Sequence, residues 1–428
     1  MSARGYEKEW ALLKNAVGEQ GEELVSAMQE LYSLFDEGIY EWMASLYDPA
    51  TGGWYYARSA QLTDGYLPDA ESTYYAIGSF FEALRSTGGV PYEEIIPKEL
   101  REKVGYFLYN LQDPDGYFYH PQWGKDISHI KASRDLGTCS RTIKRLLGIP
   151  TRYPLPDSLD SIDREYNIEN APERFRSAER FKKYLTEELD FKNDSYHAGH
   201  EMSASMSEVE SFGKKLGVDF VKMTLDHISS LQREDNGLWD PQKNYHGANG
   251  IHKISRIYNW YSRKMPYALT AIDSIMEIIM SDEPVMANVD AYNPWHVIGE
   301  LVKNLKNCHR LPKEEMDALI AKIRAFAPKA VRKSTEKMRL FKKPDGGMSM
   351  EVKTSRPFDQ GCPAAVPGTV EGDVNGMTCV AAIIPSIYSA LDLEELQVPL
   401  YTPEDYKRYI GLVMERDREY AKSHEKND

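Results

Sequence analysis

The block NYHGANGIHK at 244–253 places Tyr245, His246, Asn249, His252 and Lys253 within ten residues. A phenol or imidazole can take a proton near neutral pH, and amide, imidazole and ammonium groups can hold the charge that develops. Gly247 and Gly250 would let a ligand approach the backbone; in the plainer alternative the segment is a Gly-rich loop whose Tyr and His pack against Trp239. Two carboxylates stand apart from the block. Glu71 and Asp373 open inner-helix patterns near the two ends of the chain, and such a pair can hydrolyse a glycosidic bond. His197 and His200 form an i, i+3 pair that could chelate a divalent metal with Glu201 or Glu208. Apart from that metal, no cofactor is expected.

These residues recur at helix starts. Asp69 and Glu71 open one start, Ser133, Arg134 and Asp135 a second, Tyr196, His197, His200 and Glu201 a third. The block at 244–253 opens a fourth, Asp290, Asn293 and His296 a fifth, and Glu371, Asp373 and Asn375 the last. Asp, Asn and Ser at such places also serve as N-caps for free backbone N–H groups. Capping does not account for the imidazoles: seven of ten His, at 120, 129, 197, 200, 246, 252 and 296, fall in these segments.

The apolar spacing around the starts is helical, with Leu24, Met28, Leu31, Leu34 and Phe35, then Ala76, Phe80, Phe81 and Leu84, then Ala268, Ile272, Ile275 and Ile279. Helices break at LYDPATGGWYY (46–56), LQDPDGYFYHPQWG (111–124), LQREDNGLWDP (231–241) and LFKKPDGGMSM (340–350). Each break ends a helix, turns on an acidic residue and Gly, and continues with an aromatic or Met. With weaker copies at 188–200 and 287–296, the spacing gives six two-helix units, at roughly 20–86, 97–147, 173–213, 216–262, 267–307 and 313–391, with a C-terminal helix at 403–424. The turn-plus-aromatic segments resemble degenerate QW repeats of the terpenoid cyclase and prenyltransferase families, and DAEST and GDVNGMT resemble the acidic starts of their inner helices. The resemblance implies an all-α fold, an (α/α)6 toroid of six helical hairpins, incomplete or closed, with 1–428 as one domain. The cyclase DxDD acid would correspond to Glu71, but the stretch here is DAES and lacks the last Asp. The Asp-Cys-His zinc pattern of protein prenyltransferases is not evident.

Composition narrows the chemistry. A net charge of −14 argues against a nucleic-acid partner. No apolar run is long enough to span a bilayer, so no membrane partner is expected. The beginning, MSARGYEKEWALL, has no apolar signal core, so a cytoplasmic protein is expected, or a secreted one with its leader removed. Cys139, Cys308, Cys362 and Cys379 are far apart and are expected to be free thiols. Loops crowded with titratable groups beside Trp residues suit a sugar better than a carbocation. They resemble the clefts of carbohydrate-active toroids, which implies an oligo- or polysaccharide substrate. The preferred expectation is a lyase acting by β-elimination on uronic acids, with Tyr245 or His246 as base and His200 as a further catalytic candidate. Asn249, His252, Lys253, Arg134, Trp239, Trp123, Tyr196, His197, His296 and Glu371 would bind substrate. A glycoside hydrolase resting on Glu71 with Asp373 or Glu371, a terpenoid cyclase-like enzyme and a non-catalytic glycan-binding toroid are the alternatives. Nothing in the sequence sets an oligomeric state.

Overall fold

The computed structural model describes residues 5–156 and 171–424, so the rest of the expected 1–428 domain span lies outside the described residues. The chain is predominantly helical. Its first half contains α1 (Glu7–Val17), α2 (Gly21–Tyr32), α3 (Gly38–Ser45), α4 (Arg58–Gln61), α5 (Ala70–Tyr74), α6 (Phe80–Ala83), α7 (Tyr92–Ile95), α8 (Lys98–Tyr109), α9 (His129–Leu147), α10 (Ala178–Lys183) and α11 (Ser195–Ala204). There follow α12 (Met206–Leu216), α13 (Phe220–Leu231), α14 (Tyr245–Trp260), α15 (Ala268–Met280), α16 (Val289–Asn304), α17 (Lys313–Arg339), α18 (Val374–Ala390) and α19 (Pro403–His424). Among the described residues the only paired strands are β1 (Phe358–Asp359) and β2 (Cys362–Pro363), which pair antiparallel. No helix among them is long and apolar enough to cross a membrane.

The sequence breaks fold into one recurrent turn. Asp48 N–H donates to the Gly53 carbonyl, Asp113 to Tyr117, Arg233 to Leu238 and Lys343 to Gly347, all at 2.8–2.9 Å. Each needs a left-handed residue, and Gly52, Gly116, Gly237 and Gly346 supply it with φ between 69° and 93°. The weaker copy at 188–200 turns differently, through Asp194 N–H to the Asp190 carbonyl. After the turns, side chains cap the helices that follow. Asp69, Ser128, Asp194, Asn244 and Asp373 each accept a backbone N–H in the first turn of α5, α9, α11, α14 and α18.

Those five helices and α16 pack in a closed circuit: α5 on α9, α9 on α11, α11 on α14, α14 on α16, α16 on α18, and α18 back on α6. Outside it, α8 packs on α9, α12 on α13, α15 on α16, α17 on α2 and α15, and α19 on α3. The predicted apolar stripes face the space between these layers: Leu24, Met28, Leu31, Ala76, Phe81, Ile272 and Ile275 are buried to 1% exposure or less. The four cysteines are free, with Cys139 and Cys362 buried and Cys308 and Cys379 partly so.

Between α5 and α6 the helix widens to a π turn over Tyr75–Ser79. The Ala76 and Ile77 carbonyls there receive hydroxyls from α19: Tyr409 donates to Ala76 at 2.8 Å and Tyr406 to Ile77 at 2.7 Å. Gly78 is required at the widening, because a Cβ there would come within 2.3 Å of the Tyr92 ring.

Candidate active site inside the helical circuit

The starts of α5 and α9 and the β1–β2 hairpin bring acids around one lysine. Lys131, fully buried, lies 3.0 Å from Asp135, 3.0 Å from Asp359 and 3.6 Å from Glu71. Arg134 pairs with Glu71 through both of its carboxylate oxygens, and Asn375 Nδ2 donates to Asp359 at 3.3 Å. Asp359 arrives on the β1–β2 hairpin, with its carboxyl within hydrogen-bonding reach of Glu71. Burial would raise the Glu71 pKa, but Arg134 and Lys131 overcome that and hold it at about 2. Burial and the Glu71 charge push Asp359 up to about 7. One carboxyl of the pair is therefore charged at neutral pH while the other exchanges a proton.

Across the circuit, α11, α14 and α16 supply cations, phenols and imidazoles. Lys253 Nζ sits 5.4 Å over the Tyr196 ring, and His200 lies against Tyr196 with centroids 5.9 Å apart. His252 and His296 are 4.8 Å apart, with Tyr292 beside both. Asn249 Nδ2 donates to Asp290 at 3.2 Å and its carbonyl accepts from Asn293 at 2.7 Å. Arg256 continues the same face of α14 and is exposed. Tyr75, Arg134, Tyr196, His200, Tyr292, His296 and Cys379 each keep some exposure, so solvent reaches them. Arg134 and Cys379 lie within electrostatic range of Tyr75, Tyr292 and Lys253, which brings groups from α9, α14, α16, α18 and the π turn near one another.

Burial, followed by the nearby cations, shifts the bases there. His200 falls to about 3 through burial, Lys253, Arg134 and Arg256. His296 falls to about 4 through burial and Arg256, against the opposing pull of Glu300. His252 falls well below its usual value, and its Nδ1 has no partner. All three are neutral at pH 7. Lys253 is brought to about 7 by burial, Arg256 and Arg134. Neither the Lys253 nor the Arg256 side chain has a hydrogen bond or ion pair among the described residues.

Of the expected residues, Glu71, Arg134, Tyr196, His200, Asn249, His252, Lys253 and His296 belong to this assembly. Trp123 stands at its edge, with its indole 4.9 Å from Lys131 Nζ and its N–H donating to the Pro363 carbonyl at 2.8 Å. Six others do not. Tyr245 turns to the outer layer, where Lys337 sits 5.2 Å over its ring. His246 is exposed and bonds Asp240 at 2.7 Å; His197 is exposed and bonds the capping Asp194 at 2.8 Å. Trp239 is core, donating to the Ile228 carbonyl. Asp373 is fully buried and accepts from the Gly376, Met350 and Arg356 amides. Glu371 holds Ser59 and Ser355. Gly250 serves helix packing, not a ligand: a Cβ there would come within 1.9 Å of Ser195 Oγ.

With His197 turned to Asp194, the expected chelating pair does not assemble, and among the described residues no three His, Cys, Asp or Glu side chains gather as metal ligands would. Sequence reasoning missed Lys131, Asp359, Arg256, Tyr292 and Tyr75. Arg256 was accessible to it, since it follows Asn249, His252 and Lys253 at helical spacing. Asp359 was not, because it lies in an irregular loop placed by tertiary folding. The wider clefts lie elsewhere: one of about 550 Å³ is lined by Arg85, Gly88 and Pro399 beyond the end of α6, and one of about 790 Å³ by Gln20, Lys306 and Arg324. Of their titratable groups only Arg324 is shifted, downward by burial, whereas a gathering of perturbed groups is the better mark of a site. No protein-family model matches the chain, and no curated protein matches it in sequence.

Proposed function

We propose that the chain is a carbohydrate-active enzyme built as a single (α/α)6 toroid, a lyase that cleaves uronic-acid sugars by β-elimination inside the ring. The toroid is supported by the closed packing circuit of six inner helices, with further helices packed outside it. The lyase is supported by one observation above the rest: two basic groups without a counter-ion, the Arg256 guanidinium and the partly protonated Lys253, face phenols and neutral imidazoles that keep some exposure to solvent. Such cations favour an anionic substrate. On this reading Arg256 binds the uronate carboxylate and makes the adjacent C–H more acidic. His200, neutral and lying against Tyr196, takes that proton. The electron pair forms the new carbon–carbon double bond as the glycosidic carbon–oxygen bond breaks, and the leaving oxygen takes up a proton. The bound carboxylate also offsets the cations that depress His200, so the base strengthens once substrate is in place.

Hydrolysis fits less well. Glu71 and Asp359 are in hydrogen-bonding reach, whereas glycosidase carboxyls stand about 5–5.5 Å apart for retention and about 6.5–9.5 Å for inversion. The cyclase reading needs Glu71 as a proton donor, yet Arg134 and Lys131 keep it ionised.

The test is to incubate the protein with a panel of uronate polymers and oligomers and follow ultraviolet absorbance of the unsaturated product. Turnover is expected on at least one, at least tenfold reduced in Arg256→Gln and His200→Ala and unchanged in His246→Ala. Absence of unsaturated product from every polymer would overturn the lyase, and retention on a polymer without turnover would identify a glycan-binding module instead.

A further inference from the structure

Lys253 is an unusual lysine in its surroundings as well as its burial. It is 9% exposed, and its side chain makes no ion pair or hydrogen bond among the described residues. Its stem is fixed where α11 crosses α14, because Gly199 leaves room for it: a Cβ at 199 would stand 3.0 Å from Lys253 Cβ. The groups facing it are Tyr196 and His200 from α11, His296 from α16, Arg134 from α9, Cys379 from α18, and Arg256 and His252 from its own helix. None is a carboxylate. Two are guanidinium groups, which disfavour an ammonium beside them; Arg134 is already paired with Glu71, so Arg256 is the one left to attract an anion. A desolvated amine next to another cation is how proteins turn lysine into a nucleophile.

We propose that Lys253 is a reactive amine that forms an imine with a small carbonyl acid whose carboxylate is held by Arg256. The amine lone pair attacks the carbonyl carbon, the carbonyl oxygen takes up a proton, and the resulting carbinolamine loses water to leave a carbon–nitrogen double bond. No redox partner is needed. The shift of Lys253 to about 7 agrees with this, since it leaves a large share of the amine unprotonated at neutral pH. The inference goes beyond elimination and does not depend on it, requiring only that the ring interior admit a small anion.

The experiment treats the full chain at neutral pH with glyoxylate and, separately, with acetaldehyde, each with cyanoborohydride to reduce any imine to a stable amine. Adducts are mapped by peptide mass spectrometry. Lys253 is expected to be labelled by glyoxylate at least tenfold faster than the solvent-exposed lysines, and faster by glyoxylate than by acetaldehyde. In Arg256→Gln the glyoxylate preference is expected to disappear and the labelling midpoint to move to higher pH. Lys253→Arg, checked for native circular dichroism, is expected to remove the fast adduct alone. Equal labelling across lysines, or an unlabelled Lys253 at alkaline pH, would overturn the reactive amine. Equal rates with both probes would overturn the carboxylate-directed imine. Elimination is read by absorbance and imine formation by mass, so failure of one is not mistaken for failure of the other.

Discussion

Asp373 and Asp359 have the same side chain, both buried, and opposite uses. Asp373 spends its oxygens on the Gly376, Met350 and Arg356 amides, so Asp373→Ala leaves three buried donors without an acceptor. Urea unfolding should show a loss of about 3 kcal/mol. Asp359 instead shares a proton with its surroundings. Its folded pKa, about 7, lies above the usual 3.8, so the stability it contributes is complete below about pH 4 and is lost as pH rises through about 7. Glu71, held at about 2 against 4.5, acts in the other direction: its contribution is present above about pH 4.5 and is lost as pH falls toward 2. Thermal melts should show Asp359→Asn losing less stability than the parent between mildly acid and mildly alkaline pH; an unchanged slope would contradict the shared proton. At this scale, of the seven clustered histidines His200, His252 and His296 come together, whereas Tyr245 and His246, in the densest block, turn away. Spacing fixes which face of a helix a residue occupies. It does not fix which faces the tertiary fold turns inward.

Helices here are brought together by what glycine lacks. Ser195 Oγ occupies the space of a Cβ at Gly250, and Lys253 lies against Gly199, so α11 and α14 approach closely and hold Tyr196 under the Lys253 ammonium. Gly250→Ala should cost about 1–3 kcal/mol by overpacking and, by moving Tyr196 and Lys253 apart, should lower turnover more than a surface change of equal stability cost. Stability and activity measured on the same preparation would separate the two effects. The π turn makes a second element-scale case. Tyr409→Phe removes the donor to the Ala76 carbonyl and should destabilise by roughly 1–2 kcal/mol in urea unfolding. Caps and turns were legible in the sequence because both depend on neighbours a few residues away, as with Asp69 and Ser72 or Asp113 and Gly116. The π turn was not, since the hydroxyls that stabilise it are 329 and 333 residues distant.

Over the whole molecule, contacts between the two ends of the chain complete the fold. Tyr6 donates to the Tyr401 carbonyl, Tyr32 to Val398, and Tyr406 and Tyr409 pack on Phe81. Deleting residues 403–424 would uncover Phe81 and leave the π-turn carbonyls unpaired. The truncated chain should lose its cooperative thermal transition; a parent-like melt would show that α19 is an accessory. The helical apolar spacing and the acidic-Gly breaks foretold helices and turns, but the pairing of α18 with α6 is a long-range contact that no local pattern encodes. The sequence charge of −14 likewise hid an uneven interior. Glu71, Asp135 and Asp359 crowd one side around Lys131, while Lys253 and Arg256 stand unopposed on the other. The cations without a carboxylate partner thus lie to one side, and their field acts on a ligand before any contact forms. A molecule with one anionic end should enter in a single orientation, with its opposite end turned toward the proton shared by Glu71 and Asp359.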